Sequence, residues 1–442
     1  MGVAAGQPAP PEPVPLRRNR DFQLLWSGQA VSLLGSQTSR IAYPLLVLAM
    51  TGSPAKAGIA GFAAMLGYLL FPLPGGALVD RRDRKRIMIA CDVIRLAAVA
   101  SIAVAYWVAH LTYAQILLAG FVEGSATIFF NLAERSALPL LVHPSQRSTA
   151  ISQNEARANV ATLAGPALGG ALFGLSRAAP FAADALSYLA SLATLPFIRK
   201  PLQVPRPSAA RDASRGASRN LRAELREGLA FTWREPFLRY ASIFGAAVNL
   251  LLQVVILGLI VLARHDGASP AQIGIIVGCM GAGGLAGALL APWFQRRIPA
   301  GVTITGCMWI WAVVLALIAV VHAVAWLYPT VVVIGFLGPA WNVSAQTFRM
   351  KITPNELMGR TSSVSLQVAW GVVPLGSLLA GFLLQVLSPP TAMGVVAAGM
   401  AVTAVAATAL APMRNAGRKT PGASGETGPA AAGPAGATQP AR

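Results

Sequence analysis

Residues 75–86 read GGALVDRRDRKR, and they join two long apolar segments, 56–79 and 87–109. An α-helix crosses the hydrocarbon layer of a membrane with about 20 residues, so each apolar segment is long enough to span it. The consecutive charged residues 80–86 cannot enter that layer without a large free-energy cost. The stretch therefore predicts two membrane-spanning helices joined by a tight basic turn.

Apolar segments of similar length, separated by polar breaks, follow one another along the chain. Turn residues cluster at the breaks 51–54, 265–270 and 388–390. Of the 442 residues, 55% are hydrophobic and only 12% are charged, whereas a soluble globular protein carries roughly 25% charged residues. We therefore predict an all-α membrane protein with twelve transmembrane helices in two six-helix bundles. The predicted spans are 23–49, 56–79, 87–109, 113–133, 152–174, 179–198, 239–262, 271–294, 302–322, 324–346, 362–386 and 390–412.

The longest polar stretch, 199–238, divides the predicted spans into two groups of six. Within it, residues 221–233 place leucines near one helix face, which favours an amphipathic helix on the inner membrane surface. A helical linker that does not touch the membrane is the alternative. Two six-helix halves joined by a central loop are one plan of secondary transporters. The predicted organisation is a disordered cytoplasmic tail 1–20, an N-terminal bundle 21–198, a cytoplasmic linker 199–238, a C-terminal bundle 239–412 and a second disordered cytoplasmic tail 413–442.

The charge balance is strongly basic, with 35 Lys and Arg against 16 Asp and Glu. Such a balance is typical of nucleic-acid-binding proteins, and also of membrane proteins with basic cytoplasmic connections. Position decides between the two, because 29 of the basic residues lie on segments predicted on one side of the membrane and only three on the other. The distribution predicts a multi-pass protein of the cell membrane with both termini in the cytoplasm, and it predicts no nucleic-acid partner.

The basic turn resembles the signature loop of the major facilitator superfamily, whose pattern is G-x-L-a-D-R-x-G-R-K. The matching residues are Gly76, Leu78, Asp80, Arg81, Arg84 and Lys85, and Asp83 stands where glycine is usual. This variant, together with the sequence DALSY at 184–188, is similar to the drug:proton antiporter branch that contains the enterobactin exporter and the macrolide-efflux proteins. The resemblance implies that the loop acts as a gating latch between two conformations of a transporter.

A second motif lies in the predicted fifth span, where residues 161–170 read ATLAGPALGG. Proline removes a backbone donor, and glycines allow bending and close helix packing. The segment resembles the antiporter motif of the family, G-x-x-x-G-P-x-x-G-G, through Gly165, Pro166, Gly169 and Gly170, with Ala161 where glycine is usual. The resemblance implies export. A bend that transport in either direction would need is the alternative.

Ionisable residues inside the predicted spans are concentrated in the first half of the chain, and each costs about 2.5–3.5 kcal/mol at the membrane centre. Glu123 and Arg40 lie at similar predicted depths. We expect them to pair across a cavity that also includes Gln37, with Glu123 exchanging a proton and Arg40 tuning its affinity. A permanent structural ion pair is the alternative. Asp92 and Arg95, one turn apart, are expected to form a structural pair.

The predicted spans of the second half carry no carboxylate. Asn342 and Gln346, together with nearby tryptophans, are expected to line a broad cavity for an amphiphilic substrate. Tryptophans also occur at membrane interfaces and in helix packing, which is the alternative for those residues.

These features predict a secondary transporter that exports a hydrophobic drug, macrolide, siderophore or secondary metabolite in exchange for protons by alternating access. The alternatives are an importer of a small solute and a membrane receptor or scaffold that transports nothing. We expect no enzyme activity, no cofactor and no metal, since Cys91, Cys279 and Cys307 lack metal-ligand spacing. No G-x-x-x-x-G-K-[ST] motif is present, so no ATPase subunit is expected. The expected partners are a small-molecule substrate, the proton and the lipid bilayer, and the transporter is expected to act as a monomer.

Overall fold

The computed structural model describes residues 14–203, 226–321, 323–354 and 357–416, and within these ranges the chain forms helices and no strand. The α-helices are α1 (Arg20–Thr51), α2 (Pro54–Leu70), α3 (Pro72–Arg81), α4 (Arg84–Trp107), α5 (Tyr113–Leu141), α6 (Arg147–Leu175), α7 (Ala179–Thr194), α8 (226–234), α9 (Pro236–His265), α10 (Pro270–Arg297), α11 (Ala300–Val320), α12 (Val324–Ile352), α13 (Met358–Gly371), α14 (Val373–Val386), α15 (Pro389–Ala409) and α16 (Ala411–Arg414). Short 3-10 helices cover Leu16–Arg18, Pro144–Gln146 and Leu195–Phe197. We refer to residues 14–203 as the N-half and to the described residues from 236 to 416 as the C-half.

Nine helical segments in the described ranges are long and apolar enough to cross a membrane, and the bent pair α2–α3 would make a tenth. The pair α13–α14 is one of the nine. Two predicted spans do not meet these length and hydropathy criteria. α7 has only 16 residues, and α1, although it has 32 residues, carries the polar run GSQTSR at 35–40. The chain is therefore a multi-pass helical membrane protein, and its count of twelve spans remains a prediction.

The predicted breaks coincide with helix ends that the local sequence stabilises. Gly52 adopts a left-handed conformation with φ 66° and ends α1. Ser53 and Ser388 cap the first turns of α2 and α15 through their side chains. Ser269 and Gln272 form a capping box at the start of α10. These side chains satisfy backbone donors that a helix start leaves unpaired, so the ends of these helices could be read from turn residues alone.

One span in each half is broken. The axis bends by 60° between α2 and α3, where the sequence contains Pro72 and Pro74. In the C-half, α13 ends at Gly371 and α14 begins at Val373, immediately before Pro374. Proline cannot donate its backbone nitrogen and clashes with the preceding turn, which explains why both helices break there. The two broken spans lie against each other, because α2 packs on α14.

The two halves contact each other mainly through α2 on α14 and α6 on α10. A Cβ atom added to Gly58 would lie 2.5 Å from Gly381 Cα, and one added to Gly170 would lie 2.8 Å from Gly274 Cα. Glycine is needed at both contacts because the helix backbones touch. All four glycines lie within about two turns of the helix ends that are opposite the basic connections. We call the side with those connections the basic side and the other the far side; the halves are closed together on the far side.

Parts of the predicted linker and tails lie within the described residues, and the division into tails, bundles and linker remains a prediction. α8 packs on the start of α13, where Glu227 forms an ion pair with Arg360. Leu16 and Met413, which belong to the predicted tails 1–20 and 413–442, are buried, and the structure describes these tails except for 1–13 and 417–442. Those two ranges lie outside the described residues, as do linker residues 204–225. Residues 226–233 of the predicted amphipathic segment are helical, and its contact with the membrane surface remains a prediction.

Candidate functional site

One face of α7 carries a line of polar side chains inside the N-half. Asp184, Ser187, Tyr188 and Ser191 are spaced i, i+3, i+4 and i+7, which places them on one face of the helix, and all four are buried. α1 packs closely on this face, because a Cβ at Gly35 would lie 2.1 Å from Ser187 Oγ. Polar side chains inside a lipid-embedded bundle need hydrogen-bond partners, which lie on their own helix or on neighbouring helices. The line of polar residues therefore organises the contacts around α7.

Asp184 is fully buried in the part of α7 nearer the far side. Ser39 Oγ donates a hydrogen bond to Asp184 Oδ2 at 2.5 Å. Ser187 Oγ donates to Asp184 Oδ1 at 3.2 Å, and Ser36 Oγ lies 3.4 Å from the same oxygen. No cation forms an ion pair with Asp184 in the described part of the chain. Hydroxyl groups alone therefore replace water around this carboxyl group.

Glu123 lies in α5, roughly 15 Å along the helix axis from its far-side end. Tyr43 of α1 donates to Glu123 Oε2 at 2.7 Å, and Tyr188 of α7 donates to Oε1 at 3.1 Å. Tyr188 is fully buried, whereas Glu123 keeps part of its surface exposed. A phenol group can donate to a carboxylate and accept from a carboxylic acid. The arrangement can therefore hold Glu123 in either protonation state without a change of partners.

Asp92 and Arg95 of α4 form a buried ion pair, nearer the basic side, with side chains 0% and 4% exposed. The predicted pairing of these two residues is confirmed. Ser191 Oγ donates to Asp92 Oδ2 at 2.6 Å. The guanidinium group of Arg95 stacks on the ring of Tyr188, 4.6 Å from its centroid. The ion pair therefore contacts the phenol that binds Glu123. One polar cluster joins α1, α4, α5 and α7, and we define it by Tyr43, Asp92, Arg95, Glu123, Asp184 and Tyr188 with the serines that bind them.

The expected ion pair between Arg40 and Glu123 is not found among the residues that the structure describes. Arg40 is exposed, and the tyrosines bind Glu123 instead. Gln37 Nε2 donates to Thr162 Oγ1 of α6 at 2.8 Å, so it faces another helix. Tyr43 lies three residues beyond Arg40, which moves its side chain by about 60° around the helix and about 4.5 Å along it. Arg40 and Glu123 were predicted at similar depths, but the rotation of α1 about its axis turns Tyr43, and not Arg40, toward Glu123.

Asn342 and Gln346 lie one turn apart on α12, and both are exposed. Gln346 Oε1 accepts a hydrogen bond from Arg349 Nη1 at 3.2 Å. Within the described residues no hydrogen bond joins this pair to Glu123, so the structure does not bring the two groups together. A role of Asn342 and Gln346 in lining a substrate cavity remains a prediction.

Two cations of the basic turn bind backbone carbonyl groups of the N-half. Arg84 pairs with Asp80 at 3.6 Å, and its Nη1 donates to Ser136 O at 2.9 Å. Lys85 Nζ donates to Ile198 O at 2.9 Å. Positive charge is favourable near the carbonyl-rich ends of helices. These side chains therefore hold together the basic-side ends of α4, α5 and the segment that follows α7.

The other residues of the turn make fewer contacts. Arg81 is exposed, and the Asp80 side chain is 56% exposed. A Cβ added to Gly76 would meet no atom within 4 Å, so no neighbouring helix approaches this glycine closely. The proposed latch between conformations remains a prediction; Arg81 and the Asp80 side chain are both exposed in this conformation.

The glycine-rich motif of α6 contacts two helices at once. α6 continues through Pro166 as one helix. On one side, a Cβ at Gly165 would lie 2.2 Å from a side-chain carbon of α1, and one at Gly169 would lie 2.5 Å from a carbonyl oxygen of α1. On the other side, Gly170 meets Gly274 of α10. The motif therefore links the interior of the N-half to the contact between the halves.

Sequence reasoning left Tyr43 and Tyr188 unassigned and gave Asp184 no role. The spacing of polar residues at 184, 187, 188 and 191, inside an otherwise apolar helix, is the signal that could have found two of them. Nothing in the sequence alone marks Tyr43, because aromatic residues are common in membrane helices. Among the described residues, no group of three His, Cys, Asp or Glu side chains could hold a metal ion.

The helical fold, the pairing of two halves and the polar cluster inside one of them define a membrane transporter of the major facilitator type. The model of the family described as "Transmembrane secretion effector" matches residues 13–422, and the chain belongs to this family.

Proteins of known name and structure show the same similarity. Macrolide efflux protein A of Streptococcus pyogenes is 26% identical over 367 residues, covering 81% of this chain and 88% of the relative. The multidrug efflux pump Tap of Mycobacterium tuberculosis is 28% identical over 366 residues, covering 78% and 83%. The solved structure of the nucleoside transporter NupG superposes with a TM-score of 0.70 at 14% identity, covering 88% of this chain and 98% of that one. This last likeness shows the shared fold.

Proposed function

We propose that this chain exports a hydrophobic small molecule, such as a macrolide, in exchange for protons, and that Glu123 is the group that carries the proton. The names of the relatives, a macrolide efflux protein and a multidrug efflux pump, support export and this class of substrate. The two halves would rock about a site between them and open it to each side in turn. The far-side contact between glycines is one end state of that cycle.

The observation that carries the proposal is the position of Glu123. It is the partly exposed carboxyl group of the polar cluster, it lies deep inside α5, and two phenol groups bind it. An ionised carboxylate at this depth costs a few kcal/mol, on the order of 2.5–3.5, and protonation removes the charge while the phenols remain in place. Binding and release of a proton therefore change the charge of the N-half without disrupting its packing.

Glu123→Gln is expected to abolish transport driven by a pH gradient and to preserve exchange of substrate at equal pH on both sides. The amide mimics the protonated acid but cannot release a proton. The purified protein would be reconstituted into liposomes with an acidic lumen, and uptake of radiolabelled erythromycin would be measured. Protein-free liposomes correct for passive trapping of this weak base.

The control for Glu123→Gln is Glu235→Gln, which makes the same change at the junction of α8 and α9 on the basic side. It should behave as the unchanged protein. Uptake by Glu123→Gln at the unchanged rate in the pH gradient would contradict the proposed coupling. Uptake only when the gradient is reversed would favour the importer.

We also propose that the basic side faces the cytoplasm, as positive charge does in most membrane proteins. Lys56, at the far-side start of α2, and Ser145, between α5 and α6, are both exposed. In a variant without native cysteines, Lys56→Cys should react with a membrane-impermeant maleimide in intact cells. Ser145→Cys should react only after the membrane is permeabilised. Labelling of Ser145→Cys in intact cells would reverse the orientation.

A further inference from the structure

We propose that Asp184 is a second proton-carrying residue of the transporter and that it exchanges protons with Glu123 through Tyr188 and Ser36. This inference rests on the proposed function, because it adds a second proton to a transport cycle that Glu123 already couples to the pH gradient. Asp184 and Glu123 belong to different helices, α7 and α5, and a chain of hydroxyl groups joins them.

The chain of hydrogen bonds is continuous. Tyr188 Oη donates to Glu123 Oε1 at 3.1 Å. Ser36 Oγ lies 2.9 Å from Tyr188 Oη and 3.0 Å from the carbonyl oxygen of Ser32. Because the Tyr188 proton is used on Glu123, the Ser36 hydroxyl is the donor to Tyr188 when it turns away from the Ser32 carbonyl. Ser36 Oγ lies 3.4 Å from Asp184 Oδ1. When Asp184 is protonated, its O–H can donate to Ser36, so every hydroxyl along the path points toward Glu123.

In this conformation, a proton on Asp184 can reach water through the hydroxyl chain and Glu123. Its side chain has no exposed surface, whereas Glu123 is partly exposed. The charged and titratable groups close enough to act on Asp184 are Tyr43 from α1, Arg95 from α4, Glu123 from α5 and Tyr188 from its own helix. A proton that leaves Asp184 therefore passes to Glu123 before it reaches solvent.

Charge balance favours a proton shared between Asp184 and Glu123. Arg95 is the cation of the cluster, and it already pairs with Asp92. With Asp184 and Glu123 both ionised, the buried cluster would hold two uncompensated negative charges, and each uncompensated buried charge costs several kcal/mol. With one proton between them, a single negative charge remains. The cluster is therefore poised to hold at least one proton and to accept a second.

Arg95 also supports proton exchange between the two carboxyl groups, because part of its guanidinium group is not used by the ion pair. Its side chain is 4% exposed, and within the described residues its Nε has no hydrogen-bond partner. The group stacks on Tyr188, the phenol in the middle of the path. The Arg95 guanidinium group, which stacks on Tyr188 and has an N–H unpaired among the residues described, stabilises a negative charge on either Asp184 or Glu123.

The transfer step balances without any other reactant. Protonated Asp184 gives its proton to Ser36 Oγ, the Ser36 proton passes to Tyr188 Oη, and the Tyr188 proton passes to ionised Glu123. One O–H bond breaks and one forms at each hydroxyl group, so Ser36 and Tyr188 end neutral. Asp184 ends ionised and Glu123 ends protonated. Glu123 then releases the proton where it is exposed, and rotation of the hydroxyl groups resets the path.

A purely structural role of Asp184 makes the opposite prediction about two matched serines of α1. Ser39 makes the shorter hydrogen bond to Asp184, at 2.5 Å, but has no contact with Tyr188 among the hydrogen bonds described. Ser36 makes the longer bond, at 3.4 Å, and touches Tyr188. If Asp184 only holds α1 to α7, Ser39→Ala should be the more harmful change. If Asp184 transfers protons, Ser36→Ala should be the one that alters coupling.

The experiment measures the number of protons exchanged per substrate from the pH gradient that just balances an erythromycin gradient in proteoliposomes. We expect two protons per substrate for the unchanged protein and for Ser39→Ala, and one for Asp184→Asn and Ser36→Ala. An unchanged count in both Asp184→Asn and Ser36→Ala would overturn the inference, and so would an altered count in Ser39→Ala alone. If Glu123→Gln remains coupled to the gradient, the proposed function itself fails, which is a separate result.

A second measurement does not depend on transport. Infrared difference spectra of the purified protein between acid and neutral pH should contain carboxylic-acid C=O bands from both Glu123 and Asp184. Asp184→Asn should remove one band and Glu123→Gln the other. Asp266→Asn, in the connection between α9 and α10 and outside the polar cluster, should leave both bands unchanged. Loss of no band in a folded Asp184→Asn protein would exclude proton binding by Asp184.

Discussion

Gly170→Leu is expected to stop transport while leaving the protein folded. A Cβ at this position would lie 2.3 Å from Pro270 O and 2.8 Å from Gly274 Cα, and backbone atoms cannot move aside as a flexible side chain can. The far-side contact between α6 and α10 would therefore not close. Overpacking of this kind costs roughly 1–3 kcal/mol, and a bias of that size changes the ratio of two conformations by about 5- to 150-fold.

Closure on the far side can be measured at the other contact between the halves. Ser53 Oγ donates to Gln385 Oε1 at 2.8 Å, so cysteines at these two positions should be joined by a short bifunctional thiol cross-linker when the far side is closed. We expect rapid cross-linking with Gly170 in place and slow cross-linking with Gly170→Leu. Erythromycin transport should fall in parallel.

Gly174→Leu is the matched control, because it lies one turn away on the same helix and its Cβ would meet no atom within 4 Å. It should retain both cross-linking and transport. Equal cross-linking rates for the two leucine variants would show that the glycine contact does not control the conformation.

Asp92→Ala is expected to produce the largest loss of stability. The change leaves the Arg95 guanidinium buried without its counter-ion, in a pair whose side chains are 0% and 4% exposed. Removal of one partner from a buried ion pair costs about 3–5 kcal/mol. We expect a large fall in the thermal unfolding midpoint of the purified protein in detergent, and a lower yield of folded protein.

Arg86→Ala is the control for this prediction. Arg86 and Asp83 form an i,i+3 pair at the start of the same helix, but their side chains are 90% and 51% exposed, and such surface pairs contribute only about 0–1 kcal/mol. The double change Asp92→Ala with Arg95→Met should be more stable than Asp92→Ala alone, since it removes the unpaired charge. A midpoint for Asp92→Ala as high as that for Arg86→Ala would contradict the assigned role of the ion pair.

For the residues of the candidate site, the sequence predicted the depth in the membrane. It did not predict which neighbouring helix each side chain faces. The sequence placed Glu123 and Arg40 at similar depths, because depth depends only on the rise along each helix. It could not choose between Arg40 and Tyr43 as the partner of Glu123, because that choice depends on how α1 is rotated. The close approach of α1 to α7 at Gly35 sets that rotation, and it depends on residues about 150 positions away along the chain.

The glycine motif of α6 shows the same division. Its composition predicted close helix packing, which the contacts with α1 and α10 confirm. The identity of the second partner, a helix of the other half, could not be read from residues 161–170. The cations of the basic turn are a further case, since Arg84 and Lys85 bind carbonyl groups of α5 and of the segment that follows α7.

By itself, the sequence determined the membrane-spanning class, the helix breaks, the basic side of the protein and the Asp92–Arg95 pair. Each of these follows from side chains that are neighbours along the chain or from the cost of placing charge in lipid. Only the tertiary structure decided that Tyr43 and Tyr188 bind Glu123, that hydroxyl groups enclose Asp184, and that the halves close on the far side. These arrangements depend on the rotation and contact of helices distant in sequence, which no local pattern specifies.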